Sequence, residues 1–199
     1  MTRVFVTGTD TDVGKSWVSA WLVKSWGAAY WKPVQSGTVE GWDADLVKSV
    51  APEATIFPSR HAFPDPLSPD QAAARAGASI HLDDFELPDH DGPLVVEGAG
   101  GLLVPLDDLT LMADLMERLG LPLVLVARTG LGTINHTLLS IAEIRRRKLP
   151  LAGIIVVGPE NRDNRYAIEH WGGVPVVAHL PPLPDLAALA GHPASTWRP

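Results

Sequence analysis

Between Val4 and Ser16 the chain reads VFVTGTDTDVGKS, and few folds accept such a segment. Val4 to Val6 is a short β-branched and aromatic run that enters a turn containing Gly8 and Gly14. The turn ends in Lys15-Ser16, at the start of an apolar, helix-compatible stretch. This order predicts a strand, a phosphate-binding loop and a helix. Glycine lets the backbone curl so that successive N–H groups point inward, and the helix adds its positive N-terminal end. Lys15 then reaches the β/γ-phosphates and Ser16 is placed to bind Mg²⁺. Five residues, Thr9 to Val13, separate Gly8 from Gly14-Lys15, where the general pattern has four. A GKS tripeptide alone is compatible with a plain surface turn; the strand before it and the helix after it favour the nucleotide reading.

The chain has 199 residues, which suits one domain over 1–199 with a sizeable core. Its net charge of -7 leaves no excess of Lys and Arg to displace counterions from a nucleic acid. The absence of cysteine excludes disulfides, thiolate metal sites and a cysteine nucleophile. The first strand begins almost at the N-terminus and no apolar run is long enough to span a membrane, so a cytoplasmic chain without a membrane segment is expected. The basic run Arg145 to Lys148 reads as the end of a helix.

Along the chain, Trp17, Val18, Trp21, Leu22 and Trp26 recur at helical spacing and read as a core-facing stripe. Ala29 to Trp31 reads as the second strand and delivers Lys32 and Ser36 at its carboxyl end, where ligands of open α/β sheets gather. A short helix over Gly41 to Val50 carries Asp43 and Asp45 near its start, where acidic residues also serve as caps. The proline-rich segment 52–69 reads as irregular loop, followed by a short helix near Asp70 to Ala76. His61, His81 and His90 have no metal-ligand spacing and read as surface residues. Leu94 to Val96 is a buried strand ending in Glu97-Gly98-Ala99-Gly100-Gly101. A carboxylate there suits the Mg²⁺ side of a site, while Gly98 and Gly100 let nucleotide or substrate approach. A helix over Thr110 to Leu119 precedes a strand over Leu123 to Ala127. The turn to Gly132-Thr133-Ile134-Asn135 opens a long helix ending near Arg147. Strands over Ala152 to Val157 and Val174 to Ala178 bracket a helix around Arg165 to Trp171, and Leu183 to Ala190 reads as a last short helix. Alternating buried strands and helices predict a single-domain α/β fold of the P-loop NTPase type, with a mainly parallel sheet flanked by helices on both faces.

The motifs GTDTDVGKS, WKPVQSG, VEGAGGLLVP and GTINH, in this order, strongly resemble the dethiobiotin synthetase family from Arg3 to about Val157. The longer phosphate loop is that family's form. The resemblance implies a homodimer that converts 7,8-diaminopelargonic acid, CO₂ and MgATP to dethiobiotin, ADP and phosphate, with ATP and Mg²⁺ as cofactors. It implies that Gly8, Thr9, Asp10, Thr11, Asp12, Val13, Gly14, Lys15 and Ser16 hold the nucleotide, with Thr11 and Lys15 also catalytic. Lys32 and Ser36 face a carbamate formed on the substrate. Ser16 and Glu97 hold the metal with one aspartate, for which Asp45 is preferred over Asp43 because the apolar Leu46-Val47 follows it. The turn at Thr133, Ile134 and Asn135 serves the substrate carboxylate across the dimer interface, and Gly100 lies beside the substrate. Gly158 and Pro181 fall on the adenine side. Here Val157-Gly158-Pro159 stands where many members carry an asparagine, so weak base selectivity is expected. The competing reading is a P-loop switch or partitioning ATPase of the same broad fold.

Overall fold

The computed structural model describes residues 2–182 and 197–199; the helix expected over 183–190 and most of the tail lie outside them. The sheet is built from β1 (Arg3–Gly8), β2 (Ala29–Trp31), β4 (Ile56–Phe57), β6 (Leu94–Gly101), β7 (Leu123–Arg128), β8 (Leu151–Val157) and β9 (Val176–Leu180). Their order is β4-β2-β6-β1-β7-β8-β9, and every pairing is parallel. A separate parallel pair joins β3 (Val34–Gln35) to β5 (His61–Ala62). Segment 52–69 is therefore not wholly irregular: its prolines limit it to two-residue strands rather than preventing strand pairing.

Among the described residues are six α-helices, α1 (Lys15–Trp26), α2 (Asp43–Val50), α3 (Pro69–Arg75), α4 (Met112–Leu119), α5 (Thr133–Arg146) and α6 (Arg162–Gly172), and one 3-10 turn (Leu82–Asp84). Parallel strands need crossover helices, and these cover both faces of the sheet. Alternation along β1 divides the core: Val4 and Val6 meet α1 and α2 on one face, whereas Phe5 meets α4 on the other.

The tryptophan stripe lies in the core as expected. Trp17 and Trp21 are fully buried on α1, and burying such large apolar surfaces contributes on the order of 2–3 kcal/mol each. At the other end of α1 the Trp26 indole N–H donates to the Trp197 carbonyl at 3.0 Å. Residues 197–199 are thus tied to the helix that carries Lys15.

β6 runs longer than the sequence indicates. Glu97 lies in mid-strand opposite Val6, and Gly101 pairs with Gly8 across an irregularity in the ladder. At its end the strand passes close to the phosphate loop: a Cβ on Gly101 would lie 3.3 Å from the Gly8 carbonyl oxygen. The register also determines where the chemistry points. Tyr30 pairs with Val95 and Val6 with Glu97, so Tyr30, Glu97 and Val6 project to the α1 face from three adjacent strands.

Candidate active site

The loop from Gly8 to Gly14 bends over the end of β1 and closes onto α1. Its last residue, Gly14, has φ 97°, a left-handed conformation that L side chains rarely adopt. This turn leaves the N–H groups of the first turn of α1 without intrahelical partners, facing the loop. Thr11 stands beside β6, its hydroxyl 3.7 Å from where a Cβ on Gly100 would be. The Lys15 ammonium donates to the Asp10 carbonyl at 2.9 Å, folding the lysine back under the loop. Burial lowers the Lys15 pKa below the ordinary lysine value, with Glu97 opposing and Lys32 reinforcing that shift.

Glu97 is fully buried, yet its carboxylate is well supplied with donors. Oε1 accepts from the Ser16 hydroxyl at 2.8 Å and from the Lys32 ammonium at 3.1 Å, and Oε2 accepts from the Tyr30 hydroxyl at 3.0 Å. Lys32 also binds Asp43 Oδ2 at 2.6 Å, and Ser16 Oγ is in hydrogen-bond contact with Asp43 Oδ1. Burial alone would lower Lys32, but the charges of Glu97 and then Asp43 outweigh it and hold the ammonium above its usual pKa. Burial would likewise raise Asp43, and Lys32 overcomes it to leave the carboxyl below the usual range. Both groups are charged at neutral pH.

The aspartate in contact with Ser16 and Lys32 is Asp43 and not Asp45. Asp43 opens α2 and turns into the site, guided in part by its backbone N–H, which donates to Gln35 Oε1 at 3.4 Å. Asp45 is exposed, because two residues along an α-helix is about 200° around its axis. Val47, one turn beyond Asp43, is the buried anchor of the helix.

The donor set fits a hard divalent cation. One hydroxyl proton on Ser16 cannot satisfy Asp43 and Glu97 together, so two carboxylates converge on a single oxygen with an excess of acceptors. No group of three or more His, Cys, Asp or Glu capable of holding an ion occurs among the described residues. Two carboxylates and a hydroxyl match Mg²⁺, which keeps its other positions for water and phosphate oxygens.

The remaining expected residues divide into two sets. Ser36 follows β3, and its hydroxyl is buried with no hydrogen-bond partner among the described residues. The Thr133 side chain is buried and its hydroxyl donates to the Arg128 carbonyl, so its backbone is what remains for a ligand. Asn135 is exposed one residue beyond the half-buried Ile134, and among the described residues no hydrogen bond joins this turn to the Lys15, Lys32 and Glu97 cluster. Gly158 follows β8, and its N–H donates to the Leu180 carbonyl at 3.0 Å. Pro181 follows directly. Val157 reaches the phosphate loop, since a Cβ on Gly14 would meet its side chain at 3.0 Å. His61 is not a free surface residue: its Nε2 lies 2.9 Å from Asp84 Oδ2. Tyr30 was not singled out by the sequence, although a residue two before Lys32 on a strand shares its face.

A family model described as an AAA domain matches residues 2–190. The chain is 55% identical over 199 residues to the ATP-dependent dethiobiotin synthetase BioD of Paramagnetospirillum magneticum, covering 99% of this chain and 97% of that one. It is 46% identical over 187 residues to the ATP-dependent dethiobiotin synthetase BioD of Brucella ovis, covering 93% and 88%. The likeness therefore extends beyond Val157 and into the tail. Among solved structures, a ParA family ATPase from Chlorobium tepidum TLS superposes with a TM-score of 0.57 at 15% identity, covering 96% of this chain and 88% of that one. At that identity the likeness shows the P-loop fold alone.

Proposed function

The chain belongs to the family of ATP-dependent dethiobiotin synthetases, and we propose that it makes dethiobiotin from 7,8-diaminopelargonic acid, CO₂ and ATP through a carbamate and a carbamic-phosphoric anhydride. The observation that carries this reading is the Lys32 ammonium, held between Asp43 and Glu97 beside Ser16. A switch ATPase has only a water to activate, whereas joining a carbamate to a phosphoryl group brings two anions together. That reaction needs fixed positive charge on both.

One substrate amine takes up CO₂ and loses a proton to become the carbamate. A carbamate oxygen attacks the γ-phosphorus and ADP leaves. The second amine then attacks the carbonyl carbon, closing the ureido ring and expelling phosphate with the oxygen that came from CO₂. Phosphoryl transfer of this kind depends mainly on positioning and charge. Lys15 serves the β/γ-phosphates together with the loop N–H groups. The Lys32 ammonium, with two of its three N–H groups on Asp43 and Glu97, has one left for the carbamate or the γ-phosphate. The unpartnered Ser36 hydroxyl supplies a further donor. Ser16, Asp43 and Glu97 would hold Mg²⁺, which when bound neutralises phosphate charge.

In this reading the protein is a homodimer, and the N–H groups and Asn135 at the start of α5 take the substrate carboxylate of the partner's site. Such a turn presents free donors suited to an anion. The test is phosphate release from ATP with and without diaminopelargonic acid plus bicarbonate. Release that depends on both is expected; release indifferent to them would favour a switch ATPase.

A further inference from the structure

Glu97 has two oxygens with different surroundings. Oε1 faces Ser16 and Lys32 at 2.8 and 3.1 Å, the side on which the nucleotide and its cation belong. Oε2 faces into the core, where the Tyr30 hydroxyl at 3.0 Å is its hydrogen-bond partner. Tyr30 is only 1% exposed and its ring packs in the cluster formed by α1, α2 and the sheet, so the hydroxyl is fixed by packing. From this geometry we propose that Tyr30 is a positioning residue that fixes which oxygen of Glu97 is offered to the nucleotide-bound cation.

A buried carboxylate rotates until its lone pairs find donors, because an unsatisfied charged oxygen is costly. With Tyr30 in place, Oε2 is satisfied from behind and Oε1 stays forward. Without the hydroxyl, Glu97 would turn both oxygens to the Lys32 ammonium and withdraw Oε1 from the cation. A phenol titrates far above neutral pH, so the hydroxyl is a donor under working conditions. Partners that orient a metal-side group from behind typically change metal affinity by roughly 10- to 100-fold when removed.

This inference rests on the reading of Glu97 as a metal-side residue, and the two can fail separately. The measurement is Mn²⁺ affinity of the full chain saturated with ADP, by electron paramagnetic resonance, for wild type, Tyr30→Phe, Glu97→Gln and the double variant. Tyr30→Phe is expected to weaken Mn²⁺ by roughly 10- to 100-fold, to leave metal-free ADP binding unchanged, and to add nothing in the Glu97→Gln background. A role in packing alone would lower the unfolding midpoint without moving Mn²⁺ affinity, and that result overturns the proposal. Unchanged affinity in Glu97→Gln would instead remove Glu97 from the metal site and both readings with it. A second measurement leaves the fold intact. The chain has two tyrosines, and Tyr166 is exposed, so fluorotyrosine labelling gives a buried reporter and an internal reference. Adding Mg²⁺ to the ADP complex should shift the ¹⁹F resonance of Tyr30 and not that of Tyr166. A Tyr30 resonance indifferent to Mg²⁺ contradicts the proposal.

Discussion

Replacing Lys32 with alanine tests the electrostatics of the site most severely. Lys32 is 8% exposed and its ammonium lies 2.6 Å from Asp43 and 3.1 Å from Glu97, so its loss leaves two carboxylates facing one another over Ser16. Removing one partner of a buried pair costs about 3–5 kcal/mol. The lower end applies here, because Asp43 keeps a side-chain exposure of 25%. For a chain of this size, about 3 kcal/mol corresponds to a fall of roughly 6–12 °C in the unfolding midpoint. Turnover should fall by about 10² or more, the scale of losing one preorganised charge in a transition state. The assay is thermal unfolding of the ligand-free protein beside the same measurement with Mg²⁺ and ADP. Added cation replaces the missing charge, so the variant should gain more from Mg²⁺–ADP than wild type does. An unchanged midpoint, or an equal gain in both proteins, would refute Lys32 as counter-charge to the two carboxylates.

Asp43→Asn should raise the Mg²⁺ concentration needed for half-maximal activity, whereas Asp45→Asn should leave it unchanged; the reverse pattern would return the metal to Asp45. Glu143, bound to Arg146 and Arg147, has its pKa lowered from 4.5 to about 2, so the fold favours its charged form. The stability it contributes is complete above pH 4.5 and lost as the pH falls toward 2. In urea unfolding, Glu143→Gln should therefore be less stable than wild type at neutral pH, with the gap closing across that acid window; a gap that persists at the acid end would contradict the assignment. Lys15→Ala and Asn135→Ala, each inactive alone, should recover activity when their subunits exchange, since a mixed two-fold dimer rebuilds one intact site. Proven exchange without recovery would place Asn135 in its own subunit's site.

The phosphate loop and the parallel sheet were legible because each depends on local pattern: glycine spacing in one case, short buried runs alternating with helical stripes in the other. Lys32 was legible because it follows a buried strand, and Glu97 because it is the carboxylate that interrupts the apolar run Leu94 to Val96 before the glycines. Asp43 was not, because adjacency to Leu46-Val47 in sequence does not give position around the helix. Asp43, Val47 and Val50 are spaced i, i+4, i+7 and share the inward face, while Asp45 lies almost opposite. Tyr30 escaped notice because a tyrosine in a buried strand resembles any other core aromatic until the neighbouring strand's register is known; only the Val95 pairing places it behind Glu97. The Thr133 hydroxyl folds back to the Arg128 carbonyl and helps to close the turn before α5, a bond no sequence pattern announces. Such a choice between ligand and backbone depends on tertiary geometry.

The most direct measurement follows one oxygen. With diaminopelargonic acid, MgATP and freshly dissolved ¹⁸O-labelled CO₂, attack by a carbamate oxygen on the γ-phosphorus and later expulsion of phosphate carry one label from CO₂ into the released phosphate, alongside dethiobiotin. Phosphate bearing that label at the onset of turnover is the expected result. Dethiobiotin formed with unlabelled phosphate, before the label exchanges with water, would contradict the carbamic-phosphoric anhydride and the role given to Lys32 in forming it.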